Sequence, residues 1–308
     1  LTIPEWLNKE AMSKKINLFY YNDNFGDELS SYIVRKLTGK EVRFCYPFSI
    51  KRILRNYFAF FHLLLIGKKP LWKLLTAYSL KPVLIAVGSL LESANKHCVV
   101  WGTGMAQSSV PIKPRQVIMT RGLLSQEVVK IRGGKILSKE CGDPALLMPL
   151  LFNPQVEKKY DITIIPHRAH YKEMKRDIEL SKQNVHIINL TTGSDVEIEN
   201  VVKEMKQSRL ILSSSLHGLI VAHAYGIPAL WVHFEDMAGG DFKFRDYFSS
   251  VDIPFYSPLE WKHIDIQRIA THLDDYSNSL LVKTDRLQKI QRALLRNFPY
   301  PKVGIGDL

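Results

Sequence analysis

The stretch SSSLHGLIVAHAYGIP, residues 213–228, decides how this chain folds. Before it, RLILS has the length and branching of a buried strand, and after Pro228 the run ALWVHF has the same. Between the two, Leu216, Leu219, Ile220 and His223 or Ala224 recur at helical spacing. Serines stand ready as N-caps, and Gly226-Ile227-Pro228 is a stop signal. The unit reads as strand, tight turn, helix, strand. A ligand of such a unit binds at the carboxyl end of the strand, where the first free N–H groups of the helix favour an anion. His217 lies in that first helical turn. By position alone it is either a surface or capping histidine or the polar head of a site, and the rest of the chain must separate the two.

The same rhythm runs outward in both directions. KINLFYY, residues 15–21, reads as a strand, followed by the loop NDNFGD and a helix, ELSSYIVRKLTG, closed by Gly39. PVLIAVGS ends at Gly88 and Ser89, HCVVWGTGM at Gly102-Thr103-Gly104, and RQVIMTRG at Arg121-Gly122 ahead of a helix in LLSQEVVKIRGG. Short apolar strands finished by glycine or a polar residue mark a parallel sheet whose strand ends line a crevice. After CGDPALLMPLLFNP, with Pro144, Pro149 and Pro154, the rhythm restarts. YDITIIPHRAH is a strand ending at Pro166-His167-Arg168, VHIINLTT is the next strand, and EMKRDIELSKQN and DVEIENVVKEMKQS are the helices. The expected fold class is α/β: two Rossmann-like doubly wound domains, 1–150 and 151–308, divided near residues 149–158 and facing a cleft, similar to GT-B glycosyltransferases. A last long helix near 284–296 is expected to cross back onto the first half. No solenoid period and no low-complexity tract interrupts the pattern.

Composition bounds the function. With 308 residues, 46% of them hydrophobic, the chain can build two cores. Lys+Arg of 42 against Asp+Glu of 30 leaves +12, which points to a phosphate-bearing partner or an anionic surface. Nucleic acid is disfavoured, because the basic residues are scattered and no helix-turn-helix, RNA-recognition or zinc-finger spacing accompanies them. Cys45, Cys98 and Cys141 are odd in number and far apart, which argues against a disulfide framework and for a reducing compartment such as the cytoplasm. The opening LTIPEWLNKEAMSKK has no apolar core of a secretory signal.

One segment stands out. From 51 to 81 the chain reads KRILRNYFAFFHLLLIGKKPLWKLLTAYSLK, aromatic and aliphatic residues bracketed by Lys51, Arg52, Arg55, Lys68, Lys69, Lys73 and Lys81. Its strongest apolar run, 57–67, is too short to span a bilayer. Two readings remain open: a helix lying in a membrane interface beside anionic lipids, or two core helices joined at residues 67–70 with solvated basic ends.

Recognised nucleotide motifs are weak or missing. Gly102-Thr103-Gly104 lacks the third glycine of a dinucleotide fingerprint, and no Walker A run exists. In order and spacing, however, NFGDELSSYIVRKLTG, AVGSLLESANKHCVVWGTGM, RGLLSQEVV, GDPALLMP, IIPHRAHY, SSSLHGLIVAHAYGIPALWV and FKFRDYFSSV together resemble the polysaccharide pyruvyl transferase family, from about residue 17 to 251. The resemblance implies transfer of the carboxyvinyl unit of phosphoenolpyruvate to a sugar as a pyruvate ketal, on a fold like that of two-domain glycosyltransferases.

That chemistry needs two cationic or N–H-rich patches for the phosphate and the carboxylate, an acid for the methylene carbon, and a base for two sugar hydroxyls. Arg121, at a strand end, is expected to fork onto phosphate or carboxylate. His217, with the N–H groups around Ser214, Ser215, Leu216 and Gly218, is the second patch and either donates to the phosphate or protonates the enol carbon. In the resembling family arginine often precedes Leu-His; here Ser215 stands in that place, and Arg168, Lys243 or Arg245 is expected to substitute. Asn24, Gly26 and Asp27 occupy the first strand-to-helix loop, with Asp27 either a base or the N-cap of a helix beginning at Glu28. Gly88, Ser89, Gly102, Thr103 and Gly104 are expected to face the cleft as further substrate contacts. Asp143 reads as an Asx-turn at the junction. His167 and His170 are expected to contact phosphate or sugar rather than a metal, since no ligand sits at matching spacing. The Gly239-Gly240 loop ahead of Lys243 is either a closing lid or a solvated loop.

The sequence thus points to a cytoplasmic, phosphoenolpyruvate-dependent ketal pyruvyltransferase of bacterial capsule or exopolysaccharide assembly, with no metal or cofactor. The first domain is expected to take the acceptor and the second the donor. The acceptor sugar is expected on a polyprenyl diphosphate, with peripheral contact to the plasma membrane through 51–81. A nucleotide-sugar glycosyltransferase and a non-catalytic membrane-associated assembly subunit are the alternatives.

Overall fold

The computed structural model describes residues 14–21, 23–69, 72–107, 114–181, 185–235, 240–273 and 280–304. The readings of residues 1–13, of the joint at Pro70 and of Gly239 lie outside them. Two five-stranded sheets carry the fold, and every strand pair in them is parallel. The first contains β1 (Lys15–Leu18), β2 (Glu41–Phe44), β5 (Val83–Ile85), β6 (Cys98–Trp101) and β7 (Gln116–Met119) in the order β2-β1-β5-β6-β7. A two-stranded ribbon, β3 (Tyr46–Pro47) with β4 (Tyr78–Ser79), sits beside it. The second contains β8 (Tyr160–Ile165), β9 (His186–Ile187), β10 (Ser208–Ser213), β11 (Ala229–His233) and β12 (Leu259–Glu260), in the order β9-β8-β10-β11-β12. Leaving out the ribbon, both sheets have the same doubly wound order, in which the chain reverses direction of travel once, next to the first strand. Crevices form at that switch point, outside the carboxyl ends of β1 and β5 in one half and of β8 and β10 in the other.

The helices follow from local signals. α1 (Phe25–Thr38) closes on Gly39, left-handed at φ 64, whose N–H reaches the Arg35 carbonyl. Its N-cap is Asn24 in extended conformation, so the helix starts three residues before Glu28 and Asp27 lies inside its first turn, which corrects the capping role considered for Asp27. α2 (Ile50–Leu65) is capped by Ser49, which accepts the Arg52 amide at 3.4 Å. Only Asn56 and Phe60 of α2 are buried, so the two-core-helices reading of this segment does not hold.

α3 (Leu123–Ile131), α4 (Tyr171–Ser181), α5 (Asp195–Lys206), α6 (Leu216–Ala224) and α7 (Phe242–Ser250) follow their strands or loops. α8 (Thr284–Arg296) crosses back: Gln291 donates to the Leu146 carbonyl, and the Trp101 indole N–H reaches the Leu294 carbonyl at 3.2 Å. The halves are joined by more than the chain. Tyr32 and Lys36 of α1 reach Glu199 of α5, Arg35 pairs with Asp195, and the largest apolar cluster runs through both halves.

Candidate active site

A cleft of about 200 Å3 opens where the two switch points face one another. From the first half come Tyr21, Asn24 and Asp27 after β1 and Gly88, Ser89 and Leu90 after β5; from the second come His167 after β8, Ser215, Leu216 and His217 after β10, and Lys243 of α7. A larger hollow of about 340 Å3, between Arg115, Arg132 and Lys135, touches Gln116 at the amino end of β7, the end of a parallel sheet that does not carry ligand sites.

His217 is the centre of the cleft's polar wall. The Ser215 side chain does not cap α6, which leaves the first-turn amides beside the cleft without that partner. Ser213 and Ser214 are used in holding the turn: Ser213 Oγ accepts the Ser215 amide and lies within donating distance of the Ile165 and Ser215 carbonyls, and Ser214 Oγ accepts the His167 amide at 2.8 Å. Gly218 packs on Ser213, where a Cβ would lie 2.2 Å from Oγ, so its side of the turn has no room for a side chain. His217 Nε2 sits 3.7 Å from Asp143 Oδ2. Both atoms are buried without a hydrogen bond, so each lacks a partner that a small shift or a proton would supply. Asp143 forms the expected Asx-turn, accepting the Ala145 amide on Oδ1 at 2.9 Å, and turns its other oxygen to the histidine. On the opposite side the imidazole lies against Gly26, where a Cβ would meet Nδ1 at 2.0 Å; only glycine leaves space for the ring.

Asp27 completes the constellation. Its Oδ2 accepts from Asn24, and its Oδ1 faces Gly88, whose φ of +103 and missing side chain let the second loop pass. Burial holds the Asp27 carboxyl above its ordinary pKa, against the opposing pull of His217. A carboxylate whose native pKa is raised is penalised in its ionised form, so at neutral pH it weakens the fold. Asp27→Asn is therefore expected to raise stability at pH 7 while activity is lost. The gain should shrink as the pH falls through the raised pKa toward the ordinary value, which denaturant melts at pH 7 and pH 4 would show.

The cationic side is made differently from the expectation. Lys243 lines the cleft, and burial, helped by Arg121, pulls its pKa down to about 8. The imidazole of His167 is driven down to about 4 by burial and by Lys243 and is neutral near pH 7. Its Nδ1 accepts the Ala169 amide at 3.3 Å, so the neutral ring carries its proton on Nε2 and acts as a donor. Arg168 is exposed at the rim, donating to the Asp23 carbonyl across the two halves, and its charge reaches both Asp27 and His167.

Arg121 is not a cleft residue. It is wholly buried, and its guanidinium donates to Asp246 through Nε, to Gly88 and Ser89 through one terminal nitrogen, and to Met105 and Asp246 through the other. All five N–H groups are accounted for, leaving none for a phosphate. Gly102, Thr103 and Gly104 also serve from beneath: Gly102 packs on Pro144, buried Thr103 donates to the Gly88 carbonyl at 2.7 Å, and Gly104 lies against the Arg121 guanidinium. Arg245 points elsewhere, 4.9 Å from the Phe255 ring and 4.0 Å from Asp241. His170 is buried between His167 and Phe234, and among the described residues no group of three His, Cys, Asp or Glu side chains is arranged to hold a metal. Tyr21 and Leu90 line the cleft without having been singled out; neither carries a charge or a motif that marks it in the sequence. No described helix is long and apolar enough to cross a membrane.

Comparison with known proteins gives three findings. The sequence matches the polysaccharide pyruvyl transferase family over residues 24–233. It is 32% identical over 168 residues to an uncharacterized protein, L143, of Acanthamoeba polyphaga mimivirus, a match that takes in 53% of this chain and spans 58% of that relative's length. Two structures of the wall teichoic acid polymerase TagF align at 13% identity: one with a TM-score of 0.38 over 96% of this chain and 91% of that one, the other with 0.37 over 94% and 84%.

Proposed function

The chain belongs to the polysaccharide pyruvyl transferase family, and we propose that it moves the pyruvyl group of phosphoenolpyruvate onto two hydroxyls of a sugar carried on a polyprenyl diphosphate. We take residues 1–150 as the acceptor side and 151–308 as the donor side, working at the cytoplasmic face of a membrane. One observation supports this above the rest. Groups of the second half that suit an anion (the α6 amides, Lys243 and His167 Nε2–H) share one cleft with a histidine 3.7 Å from the Asp143 carboxylate and within electrostatic reach of Asp27.

In this reading the α6 amides and Lys243 hold the phosphate and carboxylate of the donor. His217 gives a proton to the methylene carbon, leaving a cationic centre at the carbon that bears the phosphate. A sugar hydroxyl adds there while Asp27 removes its proton. Phosphate then departs with its bonding electrons and takes the proton held by Asp27, and the second hydroxyl closes the ketal as its own proton returns to His217. One phosphoenolpyruvate and one diol yield one ketal and one inorganic phosphate.

The test is calorimetric titration with phosphoenolpyruvate and, separately, with nucleotide sugars, followed by phosphate release when donor and acceptor are combined. Saturable binding of phosphoenolpyruvate with acceptor-dependent phosphate release is the expected result. Binding of a nucleotide sugar without phosphate release would replace it with a glycosyltransferase. Lys243 adds a pH signature. Its pKa is lowered, so its charge is complete well below pH 8 and lost above it; affinity for phosphoenolpyruvate should fall as the pH rises through about 8. Lys243→Met should weaken binding at pH 7 by roughly 10-fold and flatten that dependence.

A further inference from the structure

We propose that α2 is a membrane-docking helix that lies in the surface of an anionic bilayer. Helix periodicity places Ile50, Leu54, Tyr57, Phe58, Phe61, Leu64 and Leu65 within an arc of about 120°. All seven face solvent, with Phe58 77% and Leu65 85% exposed, and Ile66 just past the helix end is exposed as well. Soluble surfaces rarely leave so continuous an apolar stripe uncovered. Beside it, Lys51, Arg55 and His62 fall on one flank, all exposed, and Lys68 and Lys69 follow at the helix end. The opposite side faces inward through Asn56, which donates to the Tyr78 hydroxyl at 2.7 Å, and through Phe60.

Charge selects the occupant. Between Glu41 and Glu92 the sequence has no acidic residue but eight basic ones: Arg43, Lys51, Arg52, Arg55, Lys68, Lys69, Lys73 and Lys81. A second copy seated on this face through a two-fold axis would set the same cations against each other, whereas an anionic bilayer neutralises them. The 16-residue helix is about 24 Å long, too short to cross but suited to lie in the headgroup region. Its first turn is close to the site: the Arg52 guanidinium lies 5.3 Å from the Phe19 ring, and Phe19 packs at 5.5 Å on Tyr21 of the cleft wall. A membrane against α2 would thus bring a lipid-borne acceptor beside the cleft.

This surface rests on the lipid-linked acceptor reading only for its purpose. Its test uses neither donor nor acceptor, so it stands or falls apart from the reaction. The 308-residue chain is co-sedimented with phosphatidylcholine vesicles and with vesicles in which roughly one third of the lipid is phosphatidylglycerol. At least about 10-fold stronger partitioning onto the anionic vesicles is expected, falling as salt is raised. F58E/L65E alters only exposed side chains and should keep the wild-type melting curve while losing binding about 10-fold or more. K51Q/R55Q/K68Q should lose on the order of 100-fold. Three results would overturn the proposal: equal binding to neutral and anionic vesicles, wild-type binding by F58E/L65E, or a wild-type dimer in sedimentation velocity that F58E/L65E dissociates.

Discussion

Arg121→Ala is expected to lower the stability of the protein by about 3–5 kcal/mol, a large part of the 5–15 kcal/mol that holds a typical domain together. Alanine removes a buried cation and leaves the Asp246 carboxylate in an apolar interior with only the Ser125 amide and hydroxyl, each at 2.7 Å, to stabilise its charge. It also frees the Met105 carbonyl, takes the donor from the Ser89 hydroxyl and opens space against Gly104. Because Arg121 follows β7 and Asp246 lies in α7, the pair also ties the two halves together. Urea melts of the variant measure the loss. Should Arg121→Ala be too unstable to purify, Arg121→Lys keeps the charge but not the fork, and is expected to cost less while retaining phosphoenolpyruvate affinity in its folded fraction. Wild-type stability with lost affinity would return Arg121 to the role of a substrate ligand.

This pair shows where reading the sequence stops. An arginine at a strand end beside glycines carries the same local signature whether it faces a ligand or a buried aspartate 125 residues away. Local patterns were sufficient for the strands, because a run such as RLILS needs burial on both faces and a parallel sheet gives it. They were sufficient for α6 and for the glycine that ends α1, since both rest on residues within a turn of each other. They placed α1 three residues late, because Asp27 has the composition of an N-cap while its side chain is taken up by the cleft and Asn24. Asp143 was legible as a turn residue, but its second oxygen points at His217 only because the chain returns there through a second sheet. For α2 the sequence held both ends of the question, apolar residues and flanking cations. Which stripe turns outward depends on what Asn56 and Phe60 find to pack on, the Tyr78 hydroxyl of the ribbon for the one and the Trp72 ring for the other.

His217→Ala should reduce acceptor-dependent phosphate release by about 10²–10⁴-fold in the folded protein. The imidazole is poorly rewarded in the resting fold: its Nε2 has no hydrogen bond, and its nearest partner, Asp143 Oδ2, is 3.7 Å away and itself unpaired. Removing the ring therefore breaks no hydrogen bond of Nε2, while it empties the space against Gly26 and takes from Asp27 the pull that opposes its burial. Functional groups are commonly held in this condition, because a proton carrier fully satisfied by its neighbours would have to lose those bonds before reacting. Asp143→Asn separates positioning from chemistry. The asparagine can still form the turn with Ala145, so the fold should stand, but the carboxylate that would share the imidazole proton is gone. The expected result is a fall in kcat of about 10²-fold with KM for phosphoenolpyruvate nearly unchanged. If instead KM rose and kcat held, Asp143 and His217 would be binding the donor in its ground state, and the proton would have to come from another group on the cleft wall, with Lys243, still protonated at pH 7, the candidate. If His217→Ala turned over within a few-fold of wild type, the histidine would be no more than the turn residue that its position alone allows.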